Sequence, residues 1–358
     1  MSKLTKFQAA LMSKNTDGAI ISSELNSRYL SGFDYTDGYL LVLPEKAYLL
    51  ADFRYIEAAR ASVTDFEVVL TERGMLPAID KIAKENGISS LLIEEETVSC
   101  AELGRMKEAL TGITLSFGAS ELLIEQRQVK DASELELIAK AQSITDAAFE
   151  HILGFITPDK TELEVALELE FFMRRNGAEK TAFGTIAVSG TASSMPHGVP
   201  RNVKLERGFL TMDFGARYEG YCADMTRTVV LGKADDEMKR LYNTVLSAQK
   251  AAIDLYREGA SCFMLDKCAR DIINRAGYEG CFGHSLGHGV GMLVHEAPRL
   301  STSAPRDSVL VRGNITSVEP GIYIEGKYGC RIEDLMLIDL DGSTVNLTKS
   351  PKELIELF

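Results

Sequence analysis

The run FLTMDFGARYEGYCADMTRTVVL (209–231) alternates apolar and polar residues along two arms joined by a Gly-rich turn, the pattern of a β-hairpin. Its aspartates, Asp213 and Asp224, are symmetric about a point between Tyr218 and Glu219. A hairpin closed there sets both carboxylates opposite each other on one face. Like charges directly opposed destabilise a ladder. The neighbours Met212, Phe214 and Met225 are apolar, so the hairpin reads as packed against a core. Two carboxylates in such a place call for a shared proton or a cation, and this demand limits the folds open to the chain more than any other feature.

A second stretch repeats the arrangement. From Gly283 to Glu333 the chain includes GHSLGHGVGMLVHEAP, SVEPGIY and GCRIED, and Glu319 and Glu333 are symmetric about Gly326 in the turn EGKYG. Three of the five histidines, His284, His288 and His295, also fall here. Glycines at 283, 287, 289 and 291 argue against a helix carrying His284 and His288, so His288 is read as a nitrogen ligand presented by a strand. Four carboxylates and one imidazole exceed what one small cation can hold with room for a substrate; two divalent ions sharing bridging carboxylates account for them. The oxygen-rich set favours Mn²⁺, Co²⁺ or Fe²⁺, with Zn²⁺ as an alternative, over a thiolate zinc site. A competing reading pairs the acids with Arg217, Arg227 or Arg331 and makes the histidines core residues. It suits any one residue taken alone and fails to account for five at these spacings.

The rest of the chain bounds the class. Its 358 residues are enough for two ordinary domains, with 45% apolar and 25% charged residues as in soluble globular proteins. A net charge of -13 excludes a nucleic-acid binder that works through the phosphate backbone. The six cysteines show no CxxC pair, which fits reduced thiols in a cytoplasmic protein. The first residues, MSKLTKFQAALMSKN, read as an amphipathic helix, and neither a signal peptide nor a membrane span is expected.

Residues 1 to about 120 alternate strand-like runs (GAIISS, YLLVLP, AYLLAD, FEVVLT, SLLIEE, ITLSF) with amphipathic helices, and so predict an α/β domain with a mixed sheet. No glycine fingerprint follows the first strand, so a dinucleotide site is not expected there. A polar stretch, ELLIEQRQVKDAS (121–133), marks the boundary, and Ser133 with Glu136 forms a capping box that should start the next helix. Thr161 with Glu164 repeats the signature. Two more helices are expected at about 236–258 and 261–275. The order of elements, two helices then a carboxylate-bearing hairpin, occurs twice and hints at an internal duplication.

These motifs, from MDFGARYEGYCADMTRTV through HSLGHGVG, HEAP and VEPGIY to GCRIED, resemble the pita-bread metallopeptidases: methionine aminopeptidase, aminopeptidase P and prolidase. The resemblance implies an α+β pita-bread catalytic domain at 125–358 behind an α/β, creatinase-like N-terminal domain at 1–124, the layout of the aminopeptidase P, prolidase and creatinase branch. It implies metal ligands Asp213, Asp224, His288, Glu319 and Glu333, with Asp224 and Glu333 bridging two divalent ions, Mn²⁺ foremost. His197 (in SSMPHG) and His295 map onto active-site histidines, His284 onto a position used in the proline-specific branch, and Arg331 onto a substrate-binding arginine. Thr181 and Ala182 depart from the small polar residues that relatives often carry before Phe183.

The activity implied is hydrolysis of the N-terminal Xaa-Pro bond of a dipeptide or short peptide by a hydroxide held between the ions. Glu319 would take the proton from the attacking water, and the histidines would orient the carbonyl. Arg331 would anchor a substrate carboxylate, as would suit a dipeptidase, and the compact N-terminal domain tilts the reading toward an Xaa-Pro dipeptidase. The branch also implies a homodimer, with FDYTDGY (33–39) as the loop that reaches the partner's site. The alternatives are a metal-free creatinase-type amidinohydrolase and a non-enzymatic binding protein on the same fold; a full set of five ligands argues against both.

Overall fold

Six short runs rich in Leu, Ile and Val become the strands of one mixed sheet in a computed structural model of the protein, which describes all residues from Met1 to Phe358. The strands are β1 (Ala19–Ile21), β2 (Tyr39–Val42), β3 (Ala47–Ala51), β4 (Glu67–Leu70), β5 (Ser90–Ile93) and β6 (Thr114–Phe117), in the order β4-β3-β2-β1-β5-β6. The β1–β2 and β2–β3 pairs are antiparallel and the other three parallel. Helices α1 (Lys3–Met12), α2 (Glu24–Ser31), α3 (Ile56–Ser62), α4 (Met75–Glu85) and α5 (Cys100–Ala109) accompany them. Ile20, Leu41, Leu50, Ile79, Leu91 and Ile93 are among the residues of its core.

Two helices escaped the sequence reading. Helix α2 lacks a clear apolar period, and its start is fixed from outside. The buried carboxylate of Glu94 accepts the N–H groups of Ser22 and Ser23 at 2.6 and 2.8 Å, while Ser23 caps the first turn. The stretch expected to be a polar linker is helix α6 (Ala119–Gln128), which buries Leu122 and Leu123. The chain divides into two compact units between Arg127 and Gln128, inside this helix.

The second unit holds α7 (Ala132–Phe155), α8 (Glu162–Arg175), α9 (Asp236–Leu255) and α10 (Cys262–Arg275). The capping box of α7 is made by Asp131 and Glu134, not by Ser133 and Glu136; the Ser133 hydroxyl instead donates to Asp131 at 2.7 Å. An aspartate two residues earlier offers the same acceptor and already holds the extended N-cap conformation. Thr161 and Glu164 form the expected box on α8.

Strands β7 (Lys180–Thr181), β8 (Ile186–Ser189), β9 (Gly208–Phe214), β10 (Ala216–Tyr218), β11 (Tyr221–Cys222) and β12 (Met225–Leu231) follow α8. After α10 come β13 (Gly287–Gly289), β14 (Glu296–Leu300), β15 (Ile315–Val318), β16 (Gly321–Ile324), β17 (Tyr328–Arg331), β18 (Asp334–Ile338), β19 (Thr344–Asn346) and β20 (Glu356–Leu357). Two sheets dominate, β20-β12-β9-β8 and β14-β13-β15-β18-β19. One core packs α7 and α8 against the first, and another packs α9 and α10 against the second. The duplicated order of elements thus appears as two helix pairs, each covering a sheet. Even an isolated bridge recurs, Thr161 with Lys204 in one half and Ser261 with Val309 in the other, each at the N-cap of the second helix.

Candidate metal centre

Strand register decides where the carboxylates fall. In the first hairpin Tyr218 pairs with Tyr221, so the two-residue turn is Glu219-Gly220, with φ of 46° and 90°. Both residues are left-handed, as the turn that matches hairpin twist requires. This lies one residue beyond the symmetric reading. Asp213 therefore faces Thr226, and Asp224 sits diagonally from it toward the turn. The side-chain period of two keeps both acids on one face all the same. In the second hairpin β15–β18 and β16–β17 share one register, and Glu319 and Glu333 oppose each other at the break between the two ladders, as symmetry about Gly326 requires.

The four acids converge. Ligand atoms of Asp213, Asp224 and Glu333 all lie within 4.8 Å of one another. His288, on β13, turns Nε2 toward Glu319 (3.1 Å) and Asp224 (3.7 Å), and its Nδ1 lies 3.1 Å from the Gly289 carbonyl. That carbonyl takes the Nδ1 proton, so Nε2, which donates to Glu319 in the metal-free protein, would serve as a ligand once its own proton is lost. Thr226 donates to Glu333 at 2.7 Å, and Ser317 donates to Glu319 at 3.2 Å.

The electrostatics state the same need for a cation. Burial pushes the carboxyls of Asp224 and Glu333 well above the ordinary carboxylate range, and the neighbouring acids push them further. Asp213 is also raised, by burial against the pull of Arg331. Burial opposes ionisation of Glu319 too, yet its hydrogen bond to His288 and that ring's charge hold it down at about 2. Two buried oxygens, Asp213 Oδ1 and Glu333 Oε1, have no hydrogen-bond partner at all. An unpartnered buried carboxylate oxygen is costly, and two within one acid cluster fit a metal.

These groups line a cavity of about 760 Å³. His197, His284 and His295 line it as well, outside the acid cluster. His284 lies 2.9 Å from the Tyr323 hydroxyl through Nε2, and the His295 ring packs edge-on against His288 with centroids 4.2 Å apart. Burial holds both imidazoles below their ordinary range.

Arg331 is engaged with the protein more fully than a substrate anchor would be. Its Nε donates to Thr226 (2.9 Å), Nη1 to Tyr323 (2.7 Å) and the Pro196 carbonyl (3.3 Å), and Nη2 to Asp213. Arg299 was not singled out from the sequence. It lines the cavity from β14, opposite His288, and is exposed with no ion pair or hydrogen bond. Only its place in HEAPR, four residues after His295, hints at it. Tyr323 and Thr226 also went unread, since each acts through a partner remote in sequence.

Known proteins resemble this chain in sequence and in fold. The model of "Metallopeptidase family M24" matches residues 136–339, and that of "Creatinase/Prolidase N-terminal domain" matches residues 3–129. An Xaa-Pro dipeptidase of Pyrococcus horikoshii is 38% identical over 99% of both chains. Among solved structures, an Xaa-Pro dipeptidase from Bacillus anthracis superposes with a TM-score of 0.94 at 40% identity, covering 99% of each chain. An X-Pro aminopeptidase from Thermotoga maritima gives 0.90 at 36% identity, covering 97% of this chain and 99% of that one.

Proposed function

The chain belongs to metallopeptidase family M24, with a creatinase/prolidase-type N-terminal domain, and from that premise we propose that it is an Xaa-Pro dipeptidase. Two divalent ions, Mn²⁺ foremost, would be held by Asp213, Asp224, His288, Glu319 and Glu333. The observation that carries this reading is the buried acid trio with two unpartnered oxygens, set in the wall of a cavity that three further histidines line.

When bound, such ions supply Lewis acidity at the scissile carbonyl and a water acidic enough to lose a proton near neutral pH. Glu319, ionised and held by the Ser317 hydroxyl, would receive that proton. His197 and His295 offer ring N–H groups to the carbonyl oxygen as it gains charge, and His284 fixes the Tyr323 hydroxyl at the cavity wall. An Xaa-Pro bond has no N–H, so selection rests on ring packing and on the substrate's ends. Phe183, Ile186 and Val294 supply apolar wall. Arg299 is the uncommitted cation for a dipeptide's carboxylate, while Arg331 braces Asp213 and Tyr323. All six cysteines are free, which fits a reducing cytoplasm, and a homodimer is the expected assembly.

A panel of Ala-Pro, Ala-Pro-Gly and Met-Ala, assayed with Mn²⁺, Co²⁺ or a chelator, tests the reading. Metal-dependent cleavage of Ala-Pro well above the other two is expected. Preference for Ala-Pro-Gly would make the enzyme an aminopeptidase P, and cleavage of Ala-Pro undiminished by the chelator would remove the metal.

A further inference from the structure

Lys130 has no part in the chemistry above, yet it is one of the most deeply buried cations in the chain. Its ammonium lies 3.4 Å from Glu296 Oε2, with side chains only 1% and 3% exposed. The other oxygen, Glu296 Oε1, accepts the N–H of Leu293 at 2.9 Å. Gly291 donates to the Leu293 carbonyl (2.9 Å), and its own carbonyl accepts from Cys222 (2.7 Å). Little space remains: a Cβ on Gly291 would stand 2.6 Å from Glu296 Oε2 and 3.0 Å from Lys130 Cε. Lys130 is itself fixed, its N–H donating to the Gly313 carbonyl at 2.9 Å.

The turn held this way runs from 291 to 296. It presents Val294 and His295 to the cavity and leads into β14, which carries Arg299. A buried ion pair adds little stability, since desolvation of both charges offsets their attraction, and apolar replacement of both is often neutral. Its distinctive effect is geometric, because Glu296 holds Leu293 with one carboxylate oxygen and Lys130 with the other. We infer that Lys130 is a positioning residue: its ion pair with Glu296 fixes the 291–296 turn, and so sets the His295 imidazole and the Arg299 guanidinium against the substrate. The roles of those two groups rest on the Xaa-Pro reading; the fixing of the turn does not.

Lys130→Met alone leaves the Glu296 carboxylate without this cation and risks a general loss of fold, so the test adds the neutral pair Lys130→Met/Glu296→Gln. The full-length double variant should melt within a few degrees of the wild type and bind Mn²⁺ as the wild type does. Its kcat/KM for Ala-Pro should fall by about tenfold or more, KM rising as Arg299 is displaced and kcat falling as His295 is. Amide exchange over 292–296 should accelerate while the rest of the chain is unchanged. Lys130→Arg, which keeps the pair, should restore most of the kcat/KM. A double variant with wild-type kcat/KM and wild-type exchange would overturn the inference, as would loss of protection spread evenly along the chain. If the wild type cleaves no Xaa-Pro peptide, the functional reading fails on its own. Exchange over 292–296 then decides: faster supports the positioning role and unchanged overturns it.

Discussion

Asp224 and Glu333 pull stability and chemistry in opposite directions. Each is buried beside other acids that raise its proton affinity, so the protein alone is less stable for having them ionised. Asp224→Asn removes one charge from the cluster. It should stabilise the chelated protein by about 1–3 kcal/mol in urea titrations and lower Mn²⁺-dependent turnover by at least about a thousandfold. Near-normal turnover would refute the ligand assignment. The two arginines divide differently. Arg331→Met leaves Asp213 unbraced in the interior and should cost about 3–5 kcal/mol. Arg299→Gln disturbs no protein contact, so its melting temperature should hold while preference for Ala-Pro over Ala-Pro-amide falls about tenfold or more. Retained preference in that variant would move the carboxylate anchor elsewhere. All four acids could be picked out of the sequence because a packed hairpin carrying opposed charges is costly and therefore conspicuous. The task of Arg331 could not, because its partners Thr226, Tyr323, Pro196 and Asp213 come from three separate stretches of chain.

Elements were legible where one local force dominates. Short Val/Ile/Leu runs announced all six strands of the first sheet, and the symmetry of the second hairpin held because its turn closes on Gly326, which takes φ of 68° at no steric cost. The first hairpin slipped by one residue because its turn places Glu219 in the left-handed region, a conformation its residue type does not advertise. Helix α6 looked like a linker because its polar residues outnumber its apolar ones, and one of them, Arg127, is itself buried. At the start of α7 two polar residues, Asp131 and Ser133, compete for one cap, and only the backbone decides. Asp131 accepts from Glu134 N, so Asp131→Ala should cost about 1 kcal/mol, whereas Ser133→Ala, which loses only a hydroxyl bond to Asp131, should cost well under half of that. Chemical denaturation of the two variants side by side checks this; equal losses would return the cap to Ser133.

At the scale of the whole molecule, the acid cluster couples folding to pH and to metal. Asp224 and Glu333, with Asp213, have proton affinities raised by folding, so what they contribute to the protein alone is greatest in acid and is lost as pH climbs through their raised values. Glu319 runs the other way: held at about 2, below its ordinary 4.5, it contributes above that range and its contribution is lost only as pH falls toward 2. The raised acids outnumber it and set the trend from mildly acidic to mildly alkaline solution. Divalent ions compete with protons for the same oxygens, so their binding strengthens over the same interval. The melting temperature of the chelated protein should therefore fall as pH rises from about 5 to about 8, while the gap between Mn²⁺-loaded and chelated protein widens by about 5 °C or more. Asp224→Asn should flatten both trends, since it removes one of the titrating acids and one of the proposed ligands together. A gap that stays constant with pH in the wild type would mean that the ions bind somewhere other than this cluster.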